Sequence, residues 1–276
     1  MMKYFYYVFM LSLIVICSSC VYKTKVISEP VVFDNVQKKE SYFIENSKFG
    51  CNVDIDFTFP DTLKNTQDVK SLLKVMTELV LGEVYANEYP DKAVDQYYEN
   101  YVNKFKYFAV DVANTGDENS YEDETGYTYY IKVKDTVTLN QNNIVSFTVE
   151  TLSYEGGAHS TKSIYGYTYS MTDNCIITEN DFAGEKYSEI ISLLLTNKII
   201  EENNLKDAKD LENIGYNIED IKPNNNFSLN DKGITYYFNE GEIAGNMIGI
   251  TSVFMSYDEL SLCVVLDSPI SSLISY

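Results

Sequence analysis

The sequence predicts an α+β fold, an antiparallel sheet meander with amphipathic helices packed on it. Three observations carry that prediction. Short stretches alternate apolar and polar residues, as Val53, Ile55, Phe57 and Phe59 do against Asn52, Asp54, Asp56 and Thr58, and period two is the mark of a half-buried strand. Other stretches repeat apolar residues three and four apart, the mark of a helix with one buried face. Consecutive strand-like runs are joined by short polar turns such as Asn140-Gln141-Asn142-Asn143, which suit antiparallel neighbours.

Residues 1–19 read as a lipoprotein signal peptide. Lys3 supplies the positive start, residues 4–16 are apolar, and small residues precede a cysteine. The apolar run of 13 residues is shorter than the ~20 that a membrane-spanning helix needs. Cys17-Ser18-Ser19-Cys20 is similar to a bacterial lipobox, with Cys17 where Leu is usual, so Cys20 is the expected lipidation site. An ordinary cleaved signal and an uncleaved anchor are the alternatives. The expected location is outside the cytoplasm, lipid-anchored to a bacterial membrane and facing the periplasm or the cell exterior.

Residues 20–40 are then the lipidated cysteine and a tether without sustained periodicity. Residues 41–172 form an N-terminal α+β region of strand, two helices and meander, and residues 173–276 a C-terminal α+β region expected to share its core. After the strand that ends at Phe59, Pro60-Asp61 breaks the pattern. Asn65 is placed to cap a helix carrying Val69, Leu72, Leu73, Met76 and Val80, which Gly82 stops. Pro90 and Asp91 open a second helix, with Ala93, Tyr97, Tyr101, Phe105 and Phe108 on one face; that aromatic stripe reads as core. Asp117, Glu118, Glu122, Asp123 and Glu124 follow in a loop whose spacing fits no EF-hand, so it reads as a solvated acidic loop. Tyr127–Val133, Val145–Val149 and Tyr165–Tyr169 alternate as strands, with the Tyr165, Tyr167, Tyr169 face expected to be mostly buried. One helix is expected from Glu179 through Ile199, a charged exposed segment at 201–212, then strands at 227–229, 234–238 and 248–255, and a tail from Ser268.

Beyond Cys20 the cysteines are Cys51, Cys175 and Cys263, far apart and without a C-x-x-C pair. This argues against a metal knuckle and favours three buried thiols over one disulfide. The 21 basic residues, all lysine, face 41 acidic ones for a net charge of −20. Such a field repels nucleic acid and attracts cationic partners.

Tyr154-Glu155-Gly156-Gly157-Ala158-His159-Ser160 is the most specific stretch, for it joins two strands and holds the only histidine. Paired glycines allow positive φ or a close backbone approach. As a general base His159 requires a partner within hydrogen-bond reach, and as a metal ligand about three others. The sequence has no second histidine and no G-x-S-x-G elbow. His159 therefore reads as part of the turn, bonding a carbonyl or a neighbouring strand, with Glu155 as its candidate carboxylate should the turn be catalytic. No metal and no cofactor are expected.

Three segments together carry a family resemblance: TLSYEGGAHSTKSIYGYTYSM at 151–171, ITENDF at 177–182, and FSLNDKGITYYFNEGEIAGNMIGITSVFMSYDEL at 227–260. Their order and spacing resemble a bacterial envelope family that includes the extracellular domain of the lysozyme-sensing anti-sigma factor RsiV and the non-catalytic N-terminal region of the peptidoglycan deacetylase PdaC. The resemblance implies an α+β binding domain with a role at peptidoglycan or at proteins that attack it. The expected function is that of a non-enzymatic, lipid-anchored envelope protein, with a cationic lysozyme-like protein or peptidoglycan as partner. The alternatives are an enzyme or enzyme accessory acting on cell-wall glycan at His159, and a structural spacer.

Overall fold

A computed structural model describes residues 29–45, 49–114, 128–156 and 158–274. The signal peptide, Cys20, the acidic loop at 117–124 and Gly157 lie outside the described residues. The architecture is mixed α+β. Six strands, β1 (Phe33–Phe43), β2 (Gly50–Pro60), β3 (Tyr129–Gln141), β4 (Ile144–Tyr154), β5 (Thr161–Ser170) and β6 (Cys175–Ile176), form one sheet in sequence order. Neighbours are antiparallel except β2 and β3, which run parallel from Cys51↔Tyr129 to Asp56↔Lys134. Parallel neighbours need a crossover. Helices α1 (Lys70–Leu81) and α2 (Pro90–Asn114) provide it, and their apolar stripes cover one face of β1 to β3.

The β3–β4 hairpin shows how local chemistry sets register. Asn142 and Asn143 have φ of 55° and 63°, the left-handed pair that a two-residue hairpin turn requires and asparagine tolerates.

A second sheet holds β7 (Phe227–Leu229), β8 (Gly233–Phe238) and β9 (Thr251–Ser256), all antiparallel. Around it lie α3 (Glu179–Phe182), α4 (Tyr187–Glu202), α5 (Ala208–Asn213) and α6 (Tyr257–Leu260). On α4 the buried residues Tyr187, Ile191, Leu195 and Ile199 recur every four positions.

Several expectations need correction. Residues 33–40, read as tether, are paired strand, Phe33 opposite Pro60 and Glu40 opposite Val53. This is an edge strand whose half-buried side chains are only Phe33, Val36, Lys38 and Tyr42, so its sequence shows no clean alternation. Asn65 is not the cap of α1. That place falls to Val69, and the Asn65 side chain instead clamps Val32, accepting its N–H and donating to its carbonyl, both at 2.8 Å. The single helix expected over 179–199 is two. Between them Ala183 pairs with Val264, and the Gly184 N–H donates to the Cys263 carbonyl at 2.8 Å, so the backbone turns outward to bond another segment. Strand β9 starts at Thr251, because residues 246–248 form a tight turn closed by Gly249 at φ 76°. The tail is docked, with Ile270 and Ile274 buried. Cys51 and Cys263 are buried free thiols, but Cys175 is exposed. Tyr169 is buried whereas Tyr165 is 46% exposed, since the helices cover the β1–β3 side of that face and leave the far end of β5 open.

The buried side chains form two hydrophobic clusters. One lies between the large sheet and α1–α2, the other around the small sheet and α3–α6. Leu139 and Ile144, at the turn end of β3 and β4, belong to the second, so the strands of the large sheet feed both.

Candidate functional site

The β4–β5 hairpin tip carries the residues that the sequence singled out. Gly156 turns the chain at φ 91° and lies against the Tyr129 ring, where an added Cβ would sit 3.4 Å from the hydroxyl. Glu155 is turned toward α2, and both its carboxylate oxygens accept from the Lys104 ammonium, at 2.7 and 2.6 Å. This pair ties the tip to the helix. Beneath it stand the phenols of Tyr97, Tyr101 and Tyr129. Burial pushes Tyr97 and Tyr129 up to about 12 and Tyr101 up as well, and the Glu155 charge adds to all three. They are neutral hydroxyls at physiological pH, and Asn100 donates to a fourth, Tyr85, at 2.8 Å. On the opposite face of the sheet the cross-strand pair Tyr130 and Tyr154 stacks with ring centroids 6.0 Å apart.

His159 and Ala158 are exposed at the tip. His159 Nδ1 lies 3.1 Å from the carbonyl oxygen of Ser160. Glu155 and His159 thus take separate partners, one a lysine and one the local backbone. Among the described residues no group of three or more His, Cys, Asp or Glu is arranged to hold a metal ion, and no helix is long and apolar enough to cross a membrane.

The segments that carry the family resemblance meet where the two sheets join. Gly166 of β5 lies against β7 so closely that a Cβ would be 2.3 Å from the Phe227 carbonyl carbon. Among the described residues the edge of β5 near the tip has no strand paired with it, because β6 pairs only with Tyr169 and Ser170. Two asparagine side chains take the strand's place. The Asn239 side-chain oxygen accepts the Ile164 N–H and that of Asn226 the Gly166 N–H, each at 2.8 Å, while the Ile164 carbonyl accepts from both amides. Edge capping of this kind removes a template for unwanted strand pairing.

The ITENDF segment starts α3 with a capping box between Thr178 and Asp181. Glu179 is buried, and it exchanges bonds with Asn225: its N–H donates to the Asn225 side chain at 3.0 Å and its carboxylate accepts the Asn225 N–H at 3.1 Å. Burial raises its pKa, and Tyr236 of β8 donates to it. Tyr236 also bonds the Tyr187 hydroxyl. Sequence reading missed Lys104, Glu179, Asn226 and Asn239 as positioning residues. Each acts through a partner 46 to 75 positions away, and no local pattern marks such a pair.

Comparisons place this geometry. Residues 176–258 match the family model DUF3298, a protein family of unknown function, and residues 63–162 match the model described as deacetylase PdaC. A solved structure of a DUF3298 family member from Bacteroides fragilis is similar with a TM-score of 0.78 at 26% identity, covering 88% of this chain and 96% of that one. A DUF3298 family protein from Pseudomonas aeruginosa shares the fold with a TM-score of 0.60 at 14% identity, covering 90% of this chain and 99% of that one. No curated protein matches the chain. The PdaC model matches over α1, α2 and the β3–β4 hairpin and the DUF3298 model after β5, so the two matches fall on the parts of the chain whose motifs carry the resemblance.

Proposed function

We propose that this chain is a non-enzymatic envelope protein, held to the membrane by a lipid on Cys20, whose DUF3298 half binds a cationic protein of the lysozyme type. The carrying observation is the charge of that half. Residues 173–276 hold 18 acidic residues against 6 lysines, and residues 201–220 alone hold 7 acids against 2 lysines. They fall on the end of α4, on α5 and on the turn at Ile218–Asp220, and most are exposed. A field of one sign concentrates oppositely charged partners and speeds their capture. The resemblance of its motifs to a family that includes the lysozyme-sensing RsiV supports the same partner. Glycan chemistry at His159 would ask for a carboxylate at hydrogen-bond distance from the imidazole, and the nearby Glu155 takes Lys104 instead.

The test is calorimetry of the chain from Val21 onward with hen lysozyme, at low and at moderate salt. Saturable binding that survives moderate salt is expected. Binding that disappears with salt reduces the partnership to unspecific charge attraction, and no binding at either salt removes it.

A further inference from the structure

An open groove of about 460 Å³ lies beside α1, far in sequence from the acidic half, and its lining includes Thr62, Lys70, Lys74, Asn87, Glu88 and Tyr89. Lys70 and Lys74 are exposed and four residues apart on α1, which puts them on one helical face with ~6 Å between Cβ atoms. Among the described residues neither lysine comes within ion-pair distance of a carboxylate, although their neighbours do. Lys64 bridges Asp34 and Asp61 at 3.2 and 2.8 Å, and Lys92 takes Glu88 at 2.6 Å. The one carboxylate that lines the groove is thereby neutralised from outside it. The lining thus holds two ammonium groups without an ion-pair partner and no unpaired carboxylate, a local positive balance on a chain of net charge −20.

Tyr89 is 81% exposed, yet its backbone is fixed. Its carbonyl accepts the Ala93 N–H at 2.8 Å, and the next residue is Pro90, first in α2, where the ring locks φ. The groove thus combines an exposed aromatic ring on a fixed backbone, two ammonium groups without an ion-pair partner, the Asn87 amide and the Thr62 hydroxyl. A tyrosine ring offers a flat apolar face with a polar edge, the amide and hydroxyl suit sugar hydroxyls or an N-acetyl group, and paired lysines suit an anion.

We propose that this groove binds an anionic saccharide, with the acid group of the sugar on Lys70 and Lys74 and the sugar ring against Tyr89. The site is independent of the cationic partner proposed above. It uses the opposite charge, on the PdaC-type half. Because the chain as a whole repels anions, the groove must supply its attraction locally, and both lysines are needed.

The test is calorimetric titration of the whole chain with three probes: an oligosaccharide containing N-acetylmuramic acid, the neutral tetramer of N-acetylglucosamine, and inorganic phosphate. The acidic oligosaccharide is expected to bind saturably and at least about tenfold tighter than either of the others. The double variant K70Q/K74Q should weaken it by about tenfold or more, and Y89A by about fivefold or more, in line with the loss of charge-assisted bonds and of ring contact. All three positions are exposed, so unchanged circular dichroism and melting temperature are expected for both variants. Equal binding of the neutral tetramer, tightest binding of phosphate, unchanged affinity in K70Q/K74Q, or no binding at millimolar concentration would each overturn the proposal. None of these outcomes bears on lysozyme binding, which uses a different probe.

Discussion

Asp135 lies on the core face of β3, only 2% exposed, where alternation calls for an apolar residue. Its role follows from the strand geometry. The β2–β3 ladder ends at Asp56↔Lys134, and the next free donor on β2, the Thr58 N–H, is accepted by Asp135 Oδ1 at 2.7 Å. The side chain thus replaces a strand carbonyl. Its other oxygen is buried without a partner, and burial pushes the pKa up to about 7, against the Thr58 bond that lowers it. An unfolded aspartate titrates near ~3.9. Between these values the folded protein binds more protons than the unfolded chain, so this group's stabilisation is complete below about pH 4, declines as the pH rises, and is lost above about 7. Asp135→Asn keeps the acceptor and cannot ionise. Relative to wild type it should gain about 2–4 kcal/mol between pH 4 and pH 8, measured by urea unfolding at several pH values. An unchanged difference across that range would mean that the carboxyl is ionised in the folded state after all.

Among the elements, the contact of β5 with β7 is the one that a single atom should break. A Cβ at Gly166 would meet the Phe227 carbonyl oxygen at 2.5 Å and the Ser228 nitrogen at 2.7 Å. Backbone on both sides leaves nothing flexible to yield, and the Gly166 N–H is also held by Asn226. Gly166→Ala should therefore cost about 3 kcal/mol or more and loosen the small sheet first, which hydrogen exchange of β7 and β8 amides would show. Normal exchange there, with an unchanged melting temperature, would contradict a tight crossing. This contact also shows what the sequence carried. Val53 to Phe59, the α1 and α2 stripes and the Asn142-Asn143 turn were legible because each is a local pattern answering to one burial direction. Strand β1 was not, because an edge strand exposed along most of its length has no period to read. Neither was the parallel β2–β3 pairing, since a strand's partner is not written in its own alternation. The α3–α4 break depends on Cys263 and Val265, some eighty residues downstream. At the candidate site, rarity drew attention to His159 and paired glycines to the tip. The residues that fix the tip and the sheet junction, Lys104, Asn226 and Asn239, are common types marked only by their distant partners.

For the whole molecule, charge is the property that most distinguishes this chain, and two opposing terms decide how salt acts on it. Ion pairs such as Lys39–Asp54 and Lys162–Glu150, at 3.3 and 3.6 Å with exposed lysines, weaken when salt is added. Each contributes only about 0–1 kcal/mol. Against them stands the mutual repulsion of a net −20, concentrated in residues 173–276, where the excess of acids over lysines is 12. Raising NaCl from ~10 mM to ~0.5 M shortens the screening length from ~30 Å to only a few ångströms, which removes repulsion acting between elements while leaving the short bonds of buried groups such as Glu179 in place. Repulsion is spread over more charges than the pairs involve, so the melting temperature should rise with NaCl. A gain of about 1–2 kcal/mol corresponds to roughly 2–8 °C for a chain of this size. The control is a variant with several of the acids at 201–220 changed to Gln: an equal rise with NaCl there would show that relief of this repulsion is not the cause. If instead the melting temperature falls as NaCl is added, the ion pairs outweigh the repulsion.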